Sequence, residues 1–191
     1  NCFAEFKAEK NKIFYGLGAI KSVGFEAISN IINEREKNGE FKTFTDFMNR
    51  VDPKDVNKLQ LEGLVKAGAF DEMDTNRKKL FEAIPKIIQT IKSNYDEKVS
   101  NQTNLFDSAN NTDNEIFEFN TTKPWTKKEL LSEEFASLGF YISDHPLNEY
   151  KEFFAQLEVE TYKDFLDGNK SESLIAGTIM SIQEKKSAKG N

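Results

Sequence analysis

A glycine between two helix-forming runs, with a cation and a hydroxyl just before it, is the first feature of this chain that could do chemistry. In "IKSVGFEAISNII", Lys21 and Ser22 precede Gly24, and a helical pattern follows. Glycine lets a ligand approach the backbone closely, and the free N–H groups that open a helix suit a phosphate oxygen. Lys21 and Ser22 can add charge-assisted hydrogen bonds. The stretch predicts a helix-hairpin-helix turn that holds a nucleic-acid backbone without reading bases.

A second stretch, "LVKAGAFDEMDTNRKK", is a degenerate copy of the first. Gly68 lies at its turn, and Lys66, Arg77 and Lys78 are nearby. A single glycine after a helix is commonly only a C-cap. Because two such turns occur and both have basic residues nearby, DNA binding and a purely structural C-cap role are equally well supported. Both interpretations stay open at this point.

The sequence "NQTNLFD" places apolar residues in a polar stretch. Gln102, Leu105 and Phe106 match Q-x-x-L-F, the short peptide that docks on sliding clamps. The Leu and Phe would enter an apolar pocket, and the Gln side chain would hydrogen-bond at its rim. Isolated exposed apolar residues need no such explanation, so the pattern by itself is a weak hypothesis.

The remaining polar residues do not form a complete active site. His145 has no Cys or His at metal-ligand spacing, and its place before Pro146 favours a role at the start of a helix. No metal ligands are predicted. The acids of residues 129–134 are expected on a solvated helix face, and no phosphate-binding Gly-Lys loop is present.

Composition predicts a soluble globular protein of one or two small domains. The chain has 191 residues, of which 38% are hydrophobic and 30% charged. Residues 1–92 hold 16 Lys and Arg against 14 Asp and Glu, a net of +2, and residues 93–191 hold 10 against 18, a net of −8. The second half is therefore a poor general binder of nucleic acid. The lone Cys2 favours a reducing compartment, and the missing initiator Met suggests a piece of a longer protein.

The predicted fold is mainly α. Alternation in "FAEFKAEKNKIFYG" predicts an N-terminal β-hairpin that turns at residues 9–11, and helical periodicity follows, with stops at Gly39 and Gly68 and a kink at Pro85. Each of three helical runs is predicted to have an inward face. These faces are Phe25, Ile28, Ile31 and Ile32; Val56, Leu59, Leu64 and Val65; and Leu80, Ile84, Ile87, Ile88 and Ile91.

A polar, asparagine-rich stretch over residues 94–123 predicts a disordered linker, because it holds too few apolar residues to offset its ordering entropy. Thr126 and Glu129 then form a capping box, and the following helix is expected to end at Gly139. A second small helical unit starts near Pro146. The alternation in "LIAGTIMSI" predicts a strand, whose partners we expect beyond residue 191.

Taken in order, these stretches resemble the α subunit of bacterial DNA polymerase III. "IFYGLGAIKSVGFEAI", "LEGLVKAGAFD", "QTNLFD", "LGFYISDHPLNEY" and "LIAGTIMSI" are similar to successive segments of that family over nearly the whole chain. The resemblance implies the end of the fingers, a tandem helix-hairpin-helix domain, a linker with a clamp-binding peptide, a helical connector and the start of an OB-fold domain. The ranges are 1–15, 16–93, 94–124, 125–172 and 173–191.

The resemblance also implies a function. The parent would be a DNA-directed DNA polymerase, a nucleotidyltransferase with Mg²⁺ held by palm carboxylates that are not among these residues, so this chain is not expected to be active alone. Its implied partners are the β sliding clamp, duplex DNA and other holoenzyme subunits, with no membrane. The implied location is the cytoplasm, at the nucleoid.

Two interpretations of other classes remain. In one, the chain is a structural support and spacer that binds no DNA. In the other, it is a helix-hairpin-helix repair enzyme such as a glycosylase, which would need a catalytic Asp or Lys after the hairpin. Asp71 is the nearest such carboxylate, and the resemblance accounts for it within "AGAFD".

Overall fold

The computed structural model describes residues 2–100, 122–168 and 170–184. They divide into two compact units, Asn1–Tyr141 and Ile142–Asn191. The architecture is mainly helical with one short β-hairpin near the N-terminus, as predicted. No helix in these described ranges is long and apolar enough to cross a membrane.

The first unit opens with the predicted β-hairpin. Strands β1 (Lys7–Glu9) and β2 (Lys12–Phe14) pair antiparallel, with Ala8 opposite Ile13. Lys10 takes a φ of 54° at the turn. A separate, parallel bridge joins Phe3 to Gly16, next to the start of the helical region.

The first helical hairpin is shorter than the periodicity predicted. A 3₁₀ turn over Leu17–Ala19 precedes helix α1 (Phe25–Asn38), which ends at Gly39 with a φ of 88°. Ile28 and Ile32 are buried as predicted. The prediction for Phe25 is wrong, because it is 51% exposed. Phe25 is the first helical residue, so it lies beside the exposed turn and not over the core.

Helix α2 (Phe44–Arg50) is capped by Thr43, and a 3₁₀ turn (Pro53–Asp55) leads to helix α3 (Lys58–Lys66), capped by Asn57. The prediction that Leu59 faces inward is wrong, since it is 61% exposed. The buried positions of α3 start at Gln60, and the side chains of its first two residues are exposed.

Helix α4 (Arg77–Ser100) is the longest element and continues past the predicted start of the linker at residue 94. The helix is longer than predicted because of tertiary contacts. The Asn94 side chain donates to Asn49 Oδ1 at 2.6 Å, and Lys98 hydrogen-bonds the Asn49 carbonyl. Contacts with the end of α2 thus extend a helix whose local sequence is polar. Pro85 lies inside α4 on an exposed face, and the kink expected there stays a prediction.

The core of the first unit is formed by α1 to α4 and the turn between α3 and α4. Phe70, in that turn, packs against Phe44 and Phe47 of α2, with ring centroids 5.1 and 5.3 Å apart. The least exposed apolar side chains are Ile87, Met48, Leu61, Val65, Leu80, Ile84 and Ile91. Burial of this set is the main stabilising contribution, at about 1.5–3 kcal/mol for each large side chain.

Helix α5 (Lys127–Leu138) belongs to the first unit and follows residues 101–121, which lie outside the described residues. The predicted capping box is confirmed, because Thr126 and Glu129 exchange both hydrogen bonds. The predicted end at Gly139 is also confirmed, with a φ of 86°.

The second unit contains a 3₁₀ turn (Pro146–Tyr150), helix α6 (Lys151–Gln156) and helix α7 (Tyr162–Asp167). His145 caps the first of these, since its Nδ1 accepts from the Leu147 N–H at 3.2 Å. The strand predicted from residue 173 is not formed over 173–184. A β-strand needs a neighbouring strand with which to exchange backbone hydrogen bonds. In this stretch the Leu174 carbonyl instead accepts a hydrogen bond from the Glu160 N–H, which precedes α7.

Candidate nucleic-acid interface

The first hairpin turn, residues 20–24, is an exposed loop held by two buried side chains. Ile20 and Val23 lie in the core, and the Val23 N–H closes the turn on the Ile20 carbonyl at 3.1 Å. Between them, Lys21 and Ser22 are exposed. Ser22 takes a φ of 66°, whereas Gly24 has φ −76° and ψ 130°, which any residue adopts. The left-handed residue of this turn is therefore the serine and not the glycine.

Gly24 is the N-cap of α1, and no side chain caps this helix. The first intrahelical bond runs from Ile28 N to the Gly24 carbonyl at 3.1 Å. Within the described part of the chain, the N–H groups of Phe25, Glu26 and Ala27 have no hydrogen-bond acceptor. A helix N-terminus carries about half a positive charge on such groups. This end of α1 can therefore accept an anion, although Glu26 adds a negative charge to the same turn.

Helix α3 packs closely against the first turn. A Cβ built on Gly63 would lie 2.8 Å from the Lys21 carbonyl oxygen, so only glycine allows this close approach. One turn earlier, Gln60 is 9% exposed, and its Oε1 has no hydrogen-bond partner among the described residues. Its Nε2 would lie 3.2 Å from a Cβ built on Gly24. The sequence analysis missed Gln60, since a polar residue within an amphipathic helix gives no signal that it is buried.

The second hairpin turn joins α3 to α4 and is closed. Gly68 takes a φ of 78° and ends α3 in a Schellman motif, in which the Gly68 and Ala69 N–H groups donate to the Val65 and Leu64 carbonyls. A Cβ on Gly68 would lie 2.6 Å from Cζ of Arg77. Glycine is thus required here both by the backbone and by the guanidinium that packs on it.

Arg77 is 7% exposed, and its guanidinium is used inside the first unit. Its Nη2 lies 2.6 Å from Asp71 Oδ2, and its Nη1 lies 3.3 Å from Glu134 Oε2 and 3.0 Å from the Lys66 carbonyl. Burial alone would lower the pKa of Arg77, and the hydrogen bonds and charges of the two carboxylates outweigh it and raise that pKa. This placement argues for a structural role of Arg77 and against the predicted contact with DNA.

Glu134 corrects a second expectation, because the acids of residues 129–134 do not all lie on a solvated face. Glu134 is 0% exposed. The reason is its pairing with Arg77, a residue 57 positions earlier in the chain. Together the two charges join α5 to the second hairpin.

The other cations of the second turn also interact with groups of the chain itself. Lys66 Nζ pairs with Glu133 at 2.9 Å and lies 5.1 Å from the centre of the Phe81 ring. Lys78 is half-buried, and its charge adds to the hydrogen bonds from Thr126 that lower the pKa of Glu129. The N-terminus of α4 is capped by Asn76, whose Oδ1 accepts from the Lys79 N–H at 3.1 Å.

The predicted site residues are therefore not equivalent. Lys21, Ser22 and Gly24 lie together on an exposed, uncapped turn. Lys66, Gly68, Arg77 and Lys78 lie together on a turn that is capped and crossed by ion pairs. Gln102, Leu105 and Phe106 lie outside the described residues.

Comparison with known proteins places this chain in a family. Residues 1–80 match the helix-hairpin-helix motif. The chain is 41% identical over 164 residues to the DNA polymerase III subunit alpha of Borreliella burgdorferi, covering 83% of this chain and 14% of that protein. The same subunit of Rickettsia prowazekii is 34% identical over 185 residues, covering 95% of this chain and 15% of the relative.

The subunit of Caulobacter vibrioides is 34% identical over 146 residues, which cover 76% of this chain and 13% of the relative. The chain thus spans about one seventh of the length of these curated relatives. It matches them across both the hairpin region and the helices that follow. The chain belongs to the family of bacterial DNA polymerase III α subunits.

Proposed function

We propose that this chain acts in DNA replication as a segment of a DNA polymerase III α subunit, and that its first hairpin turn holds the backbone of duplex DNA. The observation that carries the proposal is the uncapped N-terminus of α1, exposed next to Lys21 and Ser22. Three N–H groups at this end have no acceptor among the described residues, and a phosphate oxygen satisfies such groups. The contact positions a duplex without selecting its sequence.

The two hairpins have different roles in this proposal. The first contacts DNA. The second fixes the first, because its helix α3 lies under the turn while its own cations are paired with Asp71, Glu133 and Glu134. The alternative, a support that binds no DNA, predicts no affinity for duplex at any salt concentration.

Duplex binding at the first turn is tested by a salt series. The affinity of the full chain for a fluorescent 20-base-pair duplex is measured by anisotropy between about 25 and 200 mM salt. Lys21→Ala should weaken binding and reduce the slope of log K against log salt by about one unit, since one phosphate contact is lost. Lys92→Ala, which removes an exposed cation from α4, is the charge-matched control and should leave the slope unchanged. Equal slopes for the two variants would refute the proposal.

A second proposed function is tethering to the β sliding clamp through Gln102, Leu105 and Phe106. It is supported by the Q-x-x-L-F sequence and by the anchoring of both flanks to one unit. Helix α4 ends at Ser100, and Thr122 hydrogen-bonds both Asn76, which caps α4, and Glu82 in the N-terminal part of the same helix. Phe106 is six residues from Ser100, so its reach from the end of α4 is at most about 22 Å.

The energetics favour a weak contact. Burial of one Leu and one Phe provides about 1.5–3 kcal/mol each, and ordering a peptide on binding costs about 2–5 kcal/mol. Tight association then requires linkage, in which duplex held by the first turn raises the effective concentration of the peptide near a clamp on the same DNA.

The clamp contact is tested with Leu105→Ala/Phe106→Ala and purified β clamp by calorimetry or surface plasmon resonance. The matched control is Ile116→Ala/Phe117→Ala, because Ile116 and Phe117 are also an aliphatic–aromatic pair but have Asp113, and not Gln, three positions before the aliphatic residue. The first variant should lose clamp binding, and the control should keep it. Unchanged binding of the first variant would refute the tether.

Polymerase activity and its Mg²⁺ are proposed for the parent subunit only. Within residues 2–100, 122–168 and 170–184, no three His, Cys, Asp or Glu side chains are grouped so as to hold a metal ion. The described residues therefore do not fit the metal, and no catalytic step is assigned to them.

A further inference from the structure

Gln60 of α3 combines burial with unused hydrogen-bonding capacity. Its side chain is nine-tenths buried, and its Oε1 has no partner among the described residues. Its Nε2 likewise donates no hydrogen bond to any acceptor in the described part of the chain. The unpartnered Oε1 is an acceptor that only a donor can satisfy, whereas Nε2 is a donor that an anion can satisfy.

The position of Nε2 shows where such an anion would lie. Nε2 points toward Gly24, where a Cβ would lie 3.2 Å from it and 4.0 Å from the Ala27 Cβ. Gly24 has an ordinary backbone conformation, so the absence of a side chain here provides space and not flexibility. That space adjoins the uncapped N–H groups of α1. Because no Cβ fills it, an oxygen atom lying over the Gly24 backbone can approach Nε2 to hydrogen-bond distance.

We propose that Gln60 is part of the phosphate site, and that its Nε2 donates to the same backbone phosphate that the N-terminus of α1 binds. The inference rests on the proposed function of the first turn and adds to it a residue from the second hairpin. The site is then built by both hairpins, since α1 supplies N–H groups and α3 supplies the amide. Lys21 supplies the charge.

The proposal predicts a separation of stability from binding. In Gln60→Met the volume and the helix propensity are nearly kept while the amide is removed. The free chain should unfold at the same temperature or higher, because an unsatisfied polar group has been taken from the interior. Affinity for duplex should fall about tenfold or more, as expected when a hydrogen bond to a charged group is lost. The slope with salt should not change, because Gln60 carries no charge.

Gln60→Glu is the second variant and decides the matter if Gln60→Met folds poorly. The carboxylate has the same shape, and the positive end of α1 offsets part of the cost of burying its charge, so the melting temperature identifies whether this variant folds. It repels a phosphate in the same space, so duplex binding should be lost. Gln89→Glu, at an exposed position of α4, adds the same charge elsewhere and should change affinity less than twofold.

The experiment measures melting temperature by circular dichroism and duplex affinity by anisotropy for the full chain, the two Gln60 variants, Gln89→Glu and Lys21→Ala. Weaker binding of both Gln60 variants with an undiminished melting temperature supports the site. If Lys21→Ala weakens binding and both folded Gln60 variants bind like the unmodified chain, the role of Gln60 is refuted and the proposed function stands. If the unmodified chain does not bind duplex, the proposed function itself fails, and the role of Gln60 fails with it.

Discussion

The ion pair between Arg77 and Glu134 allows a quantitative test of how the second hairpin is held. The Glu134 side chain is almost completely buried, with Oε2 3.3 Å from Arg77 Nη1. Removal of one member of a buried ion pair leaves the other charge uncompensated and costs about 3–5 kcal/mol. Asp71 still contacts the guanidinium at 2.6 Å, so we expect the lower end, about 3 kcal/mol, for Glu134→Ala.

Two further variants should cost less stability than Glu134→Ala. Glu134→Gln keeps the volume and one acceptor oxygen, so its cost should be smaller, about 1–2 kcal/mol. Glu133→Gln is the matched control on the same helix. Glu133 pairs with Lys66 at 2.9 Å, but its side chain is about one third exposed, and such pairs contribute about 0–1 kcal/mol.

The assay is urea unfolding followed by circular dichroism and by the fluorescence of Trp125. This is the only tryptophan in the chain, and its ring lies 5.7 Å from that of Phe81, so it reports on the contact between the start of α5 and α4. With a urea dependence of about 2 kcal/mol per M, Glu134→Ala should lower the midpoint by about 1.5 M. The reasoning is refuted if Glu134→Ala unfolds at the same urea concentration as Glu133→Gln.

Three smaller predictions follow from other contacts. Gly68→Ala should destabilise the first unit by about 2–4 kcal/mol, and Gly139→Ala by only about 1 kcal/mol. Both glycines have a positive φ, but only Gly68 packs on the Arg77 guanidinium. Equal changes in urea midpoint would contradict this reasoning. Hydrogen bonds from the Thr126 backbone and side chain hold the pKa of Glu129 below its ordinary value, so its stabilising effect is present above the unfolded pKa and lost as pH falls through the folded pKa. Thr126→Val keeps the backbone N–H and removes the hydroxyl, so NMR titration should show the Glu129 pKa returning only part of the way toward its ordinary value, and an unchanged pKa would exclude the hydroxyl as a cause. Glu26→Gln should tighten duplex binding about two- to fivefold in the anisotropy assay, because it removes a like charge from the phosphate site; weaker binding would place the phosphate elsewhere.

Local chemical signals were sufficient to predict several element ends. The stops at Gly39 and Gly139 and the capping box of Thr126 and Glu129 each depend on residues within one helical turn. The β-hairpin is of the same kind, because its alternation and its turn lie within 14 residues. Interactions over such short separations are readable from sequence alone.

Features decided by distant residues were not predictable. Helix α4 extends to Ser100 because Asn94 and Lys98 reach Asn49, which is more than 40 residues earlier. Periodicity gave Phe25 and Leu59 an inward face, but it contains no information on where the core stops covering a helix. Amphipathic patterns assign polar residues to solvent by default, so they do not indicate that Gln60 is buried.

The same default explains why charge along the sequence is a poor guide to charge on the surface. The first half of the chain has a net charge of +2 and the second half −8. In the structure, Glu133 and Glu134 from the acidic half neutralise Lys66 and Arg77 from the basic half. The cations that made the second turn look like a DNA contact are thus largely balanced within the first unit.

This balance limits how strongly DNA binding can depend on salt. If the duplex lies on the first turn, Lys21 is the main cation in contact with phosphate, and half-buried Lys78 is at most a second one. The slope of log K against log salt should then be about −1 to −2, at about 0.9 for each neutralised phosphate. The anisotropy series on the unmodified chain measures it directly. A slope steeper than about −4 would require several further lysines and would place the interface on a different face of the first unit.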